Sequence, residues 1–228
     1  MRALLLPVKD LINAKKRLMG VLTPEQRFEL AQVMLADTFC AVRGVRCAEK
    51  IFVITNYEPA MRLADENRWE ILREERQISE SHSVDAASRI CEQRGFTALL
   101  RLPLDLPLIQ SSDIDELLAA ECHPPALVIV PSRDGTGTNA MLRTPPTLFP
   151  SHFGTGSFAK HLAEAEAAHA GVIIRRNPRL EMDVDDQADL CALLEHDLSG
   201  TETGRWLRAS GFQSKFLPKL RAGAVTAR

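Results

Sequence analysis

Short apolar runs alternate with amphipathic stretches along this chain, a pattern that predicts a largely parallel β-sheet covered on both faces by helices. Strands are expected near residues 2–6, 51–55, 70–73, 97–102, 126–131, 139–143 and 172–176. The clearest helix lies between the first two. Thr23-Pro24-Glu25-Gln26 reads as a capping box with proline at the first helical position, and Phe28, Ala31, Leu35, Phe39 and Val42 fall on one face. A second helix is predicted from Thr155 to Ala170, with Phe158, Leu162 and Ala165 facing inward and Gly171 as its stop. No repeat, low-complexity segment or linker interrupts the pattern. The reading is one α/β domain over residues 1–200, followed by a basic C-terminal helix or tail over residues 201–228.

Composition narrows the class of function. A chain of 228 residues with 45% hydrophobic and 25% charged content buries a full core. A formal charge of -2 argues against a general nucleic-acid binder, so any anionic ligand must meet a local basic patch. No apolar run reaches membrane-spanning length, and the N-terminus enters a strand pattern without a signal-peptide profile. Cys40, Cys47, Cys91, Cys122 and Cys191 are scattered, which fits a reduced, cytoplasmic setting. After Glu202 the chain carries Arg205, Arg208, Lys215, Lys219, Arg221 and Arg228 with no acidic residue.

The most telling residue for chemistry is Asp105. It stands in Leu102-Pro103-Leu104-Asp105-Leu106-Pro107-Leu108, just past a buried strand, and a carboxylate among apolar neighbours needs a partner. The ends of such strands are where open α/β sheets bind ligands. A second carboxylate cluster, Glu181-Met182-Asp183-Val184-Asp185-Asp186, follows the last strand. If it is extended, Asp183 and Asp185 leave on the same side, although Asp185 or Asp186 also suits as a cap for a helix beginning near Gln187. Three carboxylates at strand ends suit Mg2+ or Mn2+, and no His/Cys spacing points to zinc.

Anion-binding candidates surround these acids. Lys9, Lys15, Lys16 and Arg17 crowd the loop after the first strand, where they either face a triphosphate or lie solvated. No G-x-x-x-x-G-K-[ST] string occurs. The segment Pro131-Ser132-Arg133-Asp134-Gly135-Thr136-Gly137-Thr138-Asn139 suits a backbone cradle, a tight hairpin turning at Asp134-Gly135, or both at once. Phe153-Gly154-Thr155-Gly156-Ser157-Phe158 leads into the second predicted helix, whose N-terminus favours anions, with Ser157 as a natural cap. His161, one turn later, either aims at the same anion or serves as a structural histidine.

Taken together, Pro7-Val8-Lys9 with Ala14-Lys15-x-Arg17-Leu18, Leu102-Pro103-x-Asp105-x-Pro107-Leu108, Asp134-Gly135-x-Gly137-Thr138-Asn139, Phe153-Gly154-x-Gly156-Ser157-Phe158 with His161, and Asp183-Val184-Asp185 resemble the guanylyltransferases of coenzyme F-420 biosynthesis. The resemblance runs through residues 4–190, and five blocks in order are far more specific than any one of them. It implies a nucleotidyltransferase-like, Rossmann-like fold with a mixed, mostly parallel sheet. It further implies that GTP and a small phosphorylated acid give a guanosine diphosphate adduct and pyrophosphate. Carried over residue by residue, Asp105, Asp183 and Asp185 would hold Mg2+ or Mn2+, expected as two ions. Lys9, Lys15 and Arg17 would face the GTP phosphates and carry the catalytic charge. Thr138, Gly154 and Ser157, with His161, would meet the acid.

One block departs from the family. Where the family carries Gly-Leu-Asn at the start of the helix after the third strand, this chain reads Ser83-Val84-Asp85. Ser83 and Asp85 are therefore candidates for guanine, with Asp85 accepting from its N1 and N2 donors, or plain helix caps. Expected acceptors are 2-phospho-L-lactate, phosphoenolpyruvate or 3-phospho-D-glycerate. A downstream transferase that consumes the product is an expected partner, a homodimer is left open, and neither nucleic acid nor membrane is expected. The rival readings are a molybdenum-cofactor or sugar nucleotidyltransferase, whose glycine-rich first loop is absent from residues 7–17, an Asp-x-Asp phosphatase, and a non-catalytic GTP-binding regulatory module.

Overall fold

The computed structural model describes residues 1–212. In chain order the strands are β1 (Arg2–Pro7), β2 (Lys50–Thr55), β3 (Glu70–Arg73), β4 (Ala98–Arg101), β5 (Ala126–Pro131), β6 (Thr138–Thr144) and β7 (Gly171–Ile174). The helices are α1 (Pro24–Arg43), α2 (Glu58–Glu66), α3 (Glu80–Gln93), α4 (Ser111–Ala119), α5 (Ser157–Ala167), α6 (Pro178–Glu181), α7 (Gln187–Leu193) and α8 (Glu202–Ala209). The strands form one sheet in the order β3-β2-β1-β4-β6-β5-β7. Four of its six pairings are parallel, and β6 runs antiparallel to both β4 and β5.

Side-chain alternation along β1 explains the two helical layers. Leu4 and Leu6 join a core with Ala31, Leu35, Phe39 and Val42 of α1 and with Ile114, Leu117 and Leu118 of α4. Ala3 and Leu5 point the other way, to Val84, Ala87 and Cys91 of α3. Both faces are dry, so β1 reads as a continuous apolar run rather than an alternating one. α1 begins as expected: Thr23 Oγ1 accepts from the Gln26 amide, the Gln26 side chain reaches back to the Thr23 amide, and Pro24 opens the helix.

The helix predicted over residues 155–170 is shorter at both ends. Gly154 and Gly156 have φ of 116° and 68°, outside the helical region, so α5 starts at Ser157 and its N-cap is Gly156. Ser157 is therefore the first helical residue and not the cap. At the other end His169 turns left-handed with φ of 50°, and Gly171 opens β7 instead of stopping the helix. A separate core gathers Leu18, Leu22, Leu30 and Met34 with Met182, Val184, Leu190, Leu193, Leu207 and Phe212. It ties the loop after β1 to the C-terminal helices. The helical part of the basic C-terminal segment, α8, packs in this core, whereas Lys215, Lys219, Arg221 and Arg228 lie outside the described residues. Among the described residues no helix is long and apolar enough to cross a membrane.

Candidate active site

After β1 the chain places β2 and then β3 on one side, and returns to the other side of β1 with β4. In an open sheet that reversal leaves a crevice at the carboxyl ends of the two central strands. A crevice of about 310 Å³ lies there, lined by Lys9, Lys15, Glu80, Arg101, Asp105 and Asp185 among others.

Lys15 is its electrostatic centre. Its Nζ lies 2.7 Å from Asp105 Oδ2 and 3.1 Å from Asp185 Oδ1, and Arg17 Nη1 lies 3.7 Å from Asp185 Oδ2. The backbone of Lys15 is left-handed, with φ of 53°, a conformation that costs a non-glycine residue about 1 kcal/mol or more and is held here by its ion pairs and by the buried Leu18 three residues on. Burial works against its charge, but Asp105 and Asp185 outweigh it and hold the ammonium above its ordinary pKa. Burial likewise works against ionisation of Asp105, and Lys15 reverses that, keeping the carboxyl below its usual range.

The second acid cluster follows from its neighbours. Met182 and Val184 are buried in the C-terminal core, so the alternating Asp183 and Asp185 are turned away from it. Asp186 caps α7 by accepting from the Ala188 and Asp189 amides, which frees Asp183 and Asp185 from that task. Asp183 Oδ1 accepts from Asn139 Nδ2 at 3.1 Å. Burial, with Asp105 and then Asp185 adding like charge, pushes the Asp183 carboxyl up to about 6.

Arg101, at the end of β4, links this cluster to the other wall. Its Nη2 pairs with Glu80, and its Nη1 donates to the carbonyls of Thr138 and Asn139 at 3.1 and 3.2 Å. The guanidinium sits 4.1 Å from the Phe153 ring centroid. Sequence reasoning passed over both Arg101 and Glu80. The signal was present in Leu99-Leu100-Arg101-Leu102: the rule that singles out Asp105, a charge in an apolar run, applies equally to Arg101.

Beyond Arg101, outside the residues that line the crevice, Thr138 and Ser157 are buried side by side, with Oγ atoms 3.3 Å apart, and Gly154 is exposed in the loop before α5. His161 is fully buried behind them. The loop between β5 and β6 closes as a hairpin and satisfies itself: Asp134 accepts from Ser132 Oγ, the Thr136 amide and Thr136 Oγ1, while the Gly137 amide donates to Ser132 Oγ. These contacts pull Asp134 down to about 2. The hairpin reading holds, and the Thr136 and Gly137 amides are spent inside the loop. At the start of α5 the Ser157 and Phe158 amides are spent as well, on Gly154 and Thr136 carbonyls, which leaves less of that terminus for an anion than its sequence suggests.

Ser83 and Asp85 are not brought to the crevice. Ser83 is buried, with its hydroxyl on Glu74 and on the Ser79 carbonyl, and Ser79 is the true cap of α3. Asp85 accepts from the Ser151 amide at 3.0 Å and faces Arg143 at 3.5 Å. Both serve to hold the loops around α3, because their side chains find protein partners before they reach the pocket.

A family model described as "Guanylyl transferase CofC like" matches residues 1–224. The chain belongs to this family. The match takes in most of the basic C-terminal segment, which the five motifs do not reach. Among relatives, the phosphoenolpyruvate guanylyltransferase of Conexibacter woesei is 34% identical over 84% of this chain and 86% of its own length. The 2-phospho-L-lactate guanylyltransferase of Methanothermobacter thermautotrophicus is 29% identical over 92% of each chain. A putative nucleotide-diphospho-sugar transferase from Desulfovibrio desulfuricans superposes with a TM-score of 0.73 at 14% identity, covering 91% of this chain and 94% of its own, a likeness of fold. The protein is a nucleotidyltransferase of the CofC-like family, with the α/β architecture that its motifs imply.

Among the described residues no group of three or more His, Cys, Asp or Glu closes on a point as a ready-made metal cage. The donor chemistry still fits Mg2+, which is commonly held by one or two carboxylates and completed by substrate phosphates.

Proposed function

We propose that the protein transfers the guanylyl group of GTP to a small phosphorylated acid, giving a guanosine diphosphate adduct and pyrophosphate, in the formation of coenzyme F-420. The observation that carries this reading is the clamp of Lys15 between Asp105 and Asp185 at the switch-point crevice of a CofC-like chain. Lys9 and Lys15 line the crevice and Arg17 stands beside Asp185, which supports a role for all three in meeting the triphosphate. Asp105, Asp183 and Asp185 are the residues that would hold Mg2+ or Mn2+, as two ions. The cation supplies charge to orient the phosphates and to stabilise departing pyrophosphate.

The step needs little from proton transfer. An oxygen of the acceptor phosphate attacks the α-phosphorus of GTP in line, the bond from that phosphorus to the bridging oxygen breaks, and the electron pair leaves with pyrophosphate. A phosphate monoester is largely ionised near neutral pH, so no general base is required and the protein contributes position and charge. Thr138, Gly154 and Ser157 would receive the acid, a role supported by the link from Arg101 in the crevice to the Thr138 carbonyl. Its identity is one of phosphoenolpyruvate, 2-phospho-L-lactate or 3-phospho-D-glycerate, which differ by a methyl, a methylene or an added hydroxyl with a shifted phosphate, differences that one hydrogen-bonding side chain can sort.

The test incubates pure protein and Mg2+ with each of the four nucleoside triphosphates and each of the three acids, following pyrophosphate and adduct mass. The downstream transferase is included to trap an unstable product. Turnover is expected with GTP and at least one acid. Absence of turnover with every pair overturns the reading.

A further inference from the structure

His161 is fully buried on α5, its ring stacked 6.0 Å from Phe149 and edge-on 5.1 Å from Phe153. Its Nε2 lies 2.9 Å from the His152 backbone nitrogen. A backbone amide can only donate, so Nε2 accepts and carries no proton. In a neutral imidazole the proton then sits on Nδ1, 3.0 Å from Thr138 Oγ1. Thr138 receives that hydrogen bond and shares a second with Ser157 Oγ, 3.3 Å away.

Counting protons gives the pair a direction. Two facing hydroxyls use one of their two protons between them, and with His161 donating, the other has no place inside the pair. It is free to serve an acceptor outside the pair. Were Nδ1 bare, Thr138 would donate to the imidazole and Ser157 to Thr138, and the pair would show only lone pairs to a ligand. The tautomer of one buried ring thus decides whether this wall repels or receives an anionic oxygen.

We infer that His161 is a positioning residue: held as its Nδ1–H tautomer by the His152 amide, it makes the Thr138–Ser157 pair a hydrogen-bond donor to an anionic oxygen of the acceptor acid. The inference rests on the reading that these hydroxyls meet the acid. It differs from direct contact, since the imidazole is sealed behind the hydroxyls. The ring stays neutral because burial disfavours its cation, and Arg143, Arg101, His152 and Lys160 add like charge, which together push it down to about 3.

The experiment has a spectroscopic arm and a kinetic one. In the full-length protein labelled with 15N-histidine, the resonance lost in His161→Asn should report the Nδ1–H tautomer, unchanged from about pH 5.5 to about pH 8. An Nε2–H tautomer, or titration in that range, overturns the inference, and this arm needs no activity. His161→Asn keeps an amide donor near the Nδ1 position, whereas His161→Leu keeps none, and both lose the acceptor for the His152 amide. The KM for the acid should stay within about threefold in Asn and rise at least about tenfold in Leu, with the KM for GTP unchanged. Equal KM values for the acid in the two variants would reduce His161 to packing and overturn the inference. Failure of the underlying reading looks different: Thr138→Val and Ser157→Ala would leave the KM for the acid unchanged while the tautomer signal stands.

Discussion

Lys15 and Asp105 show how a single buried contact sets the character of the crevice. Asp105 was legible in the sequence because a carboxylate in an apolar run must be answered, but the sequence could not say that the first answer is the Lys15 ammonium at 2.7 Å. Asp105→Asn should lower turnover by at least about 100-fold with the far-UV circular dichroism unchanged, since Asp185 still faces Lys15. Wild-type activity in that variant removes Asp105 from the mechanism. Lys15→Met should be inactive and, by leaving two partly exposed carboxylates without their cation, less stable by about 1 to 2 kcal/mol in urea titration. Stability equal to wild type would mean that the clamp contributes nothing to the fold. Ser83 and Asp85 mark the opposite case. Their residue types suit guanine, but a sequence does not show that Glu74 and the Ser151 amide lie nearer.

Elements were legible where a local rule settles them. The Thr23 capping box needed only neighbouring residues, and it formed as read. The bounds of α5 needed backbone angles at Gly154, Gly156 and His169, which side-chain periodicity does not carry. The seating of α8 was likewise hidden, because it depends on Asp37, more than 160 residues earlier. Asp37 on α1 accepts from the Glu202 and Thr203 amides at 2.7 and 2.9 Å and so caps a helix from outside it. Asp37→Ala should cost about 1 to 2 kcal/mol and raise amide exchange selectively in α8. Gly204→Ala should loosen the same helix, because its Cβ would come within 2.1 Å of the Leu198 carbonyl oxygen. Unchanged exchange in α8 for both variants would contradict this account of how the helix is held.

Across the whole molecule the sheet order brings Asp105 and Asp185 to one crevice, and the ionisable groups buried around it write themselves into the pH dependence of stability. His161 is held near 3, so between about pH 6.5 and 3 the unfolded chain binds a proton that the folded one refuses. Stability from this group is full above the upper bound and falls with pH below it, by at most about 1.4 kcal/mol per unit. Asp183, raised to about 6, acts in the opposite sense between its unfolded and folded values. Comparing urea titrations of wild type and His161→Asn isolates the first effect, and the variant should show the shallower loss on acidification. Parallel curves would contradict the burial argument.

The central claim, guanylyl transfer within the CofC-like family, is tested most directly by following two labels of GTP in parallel reactions with the acceptor acid. Label on the α-phosphate should appear in the adduct, and label on the γ-phosphate should leave as pyrophosphate. Release of the γ-label as inorganic phosphate, or its arrival on the acid, would contradict the account.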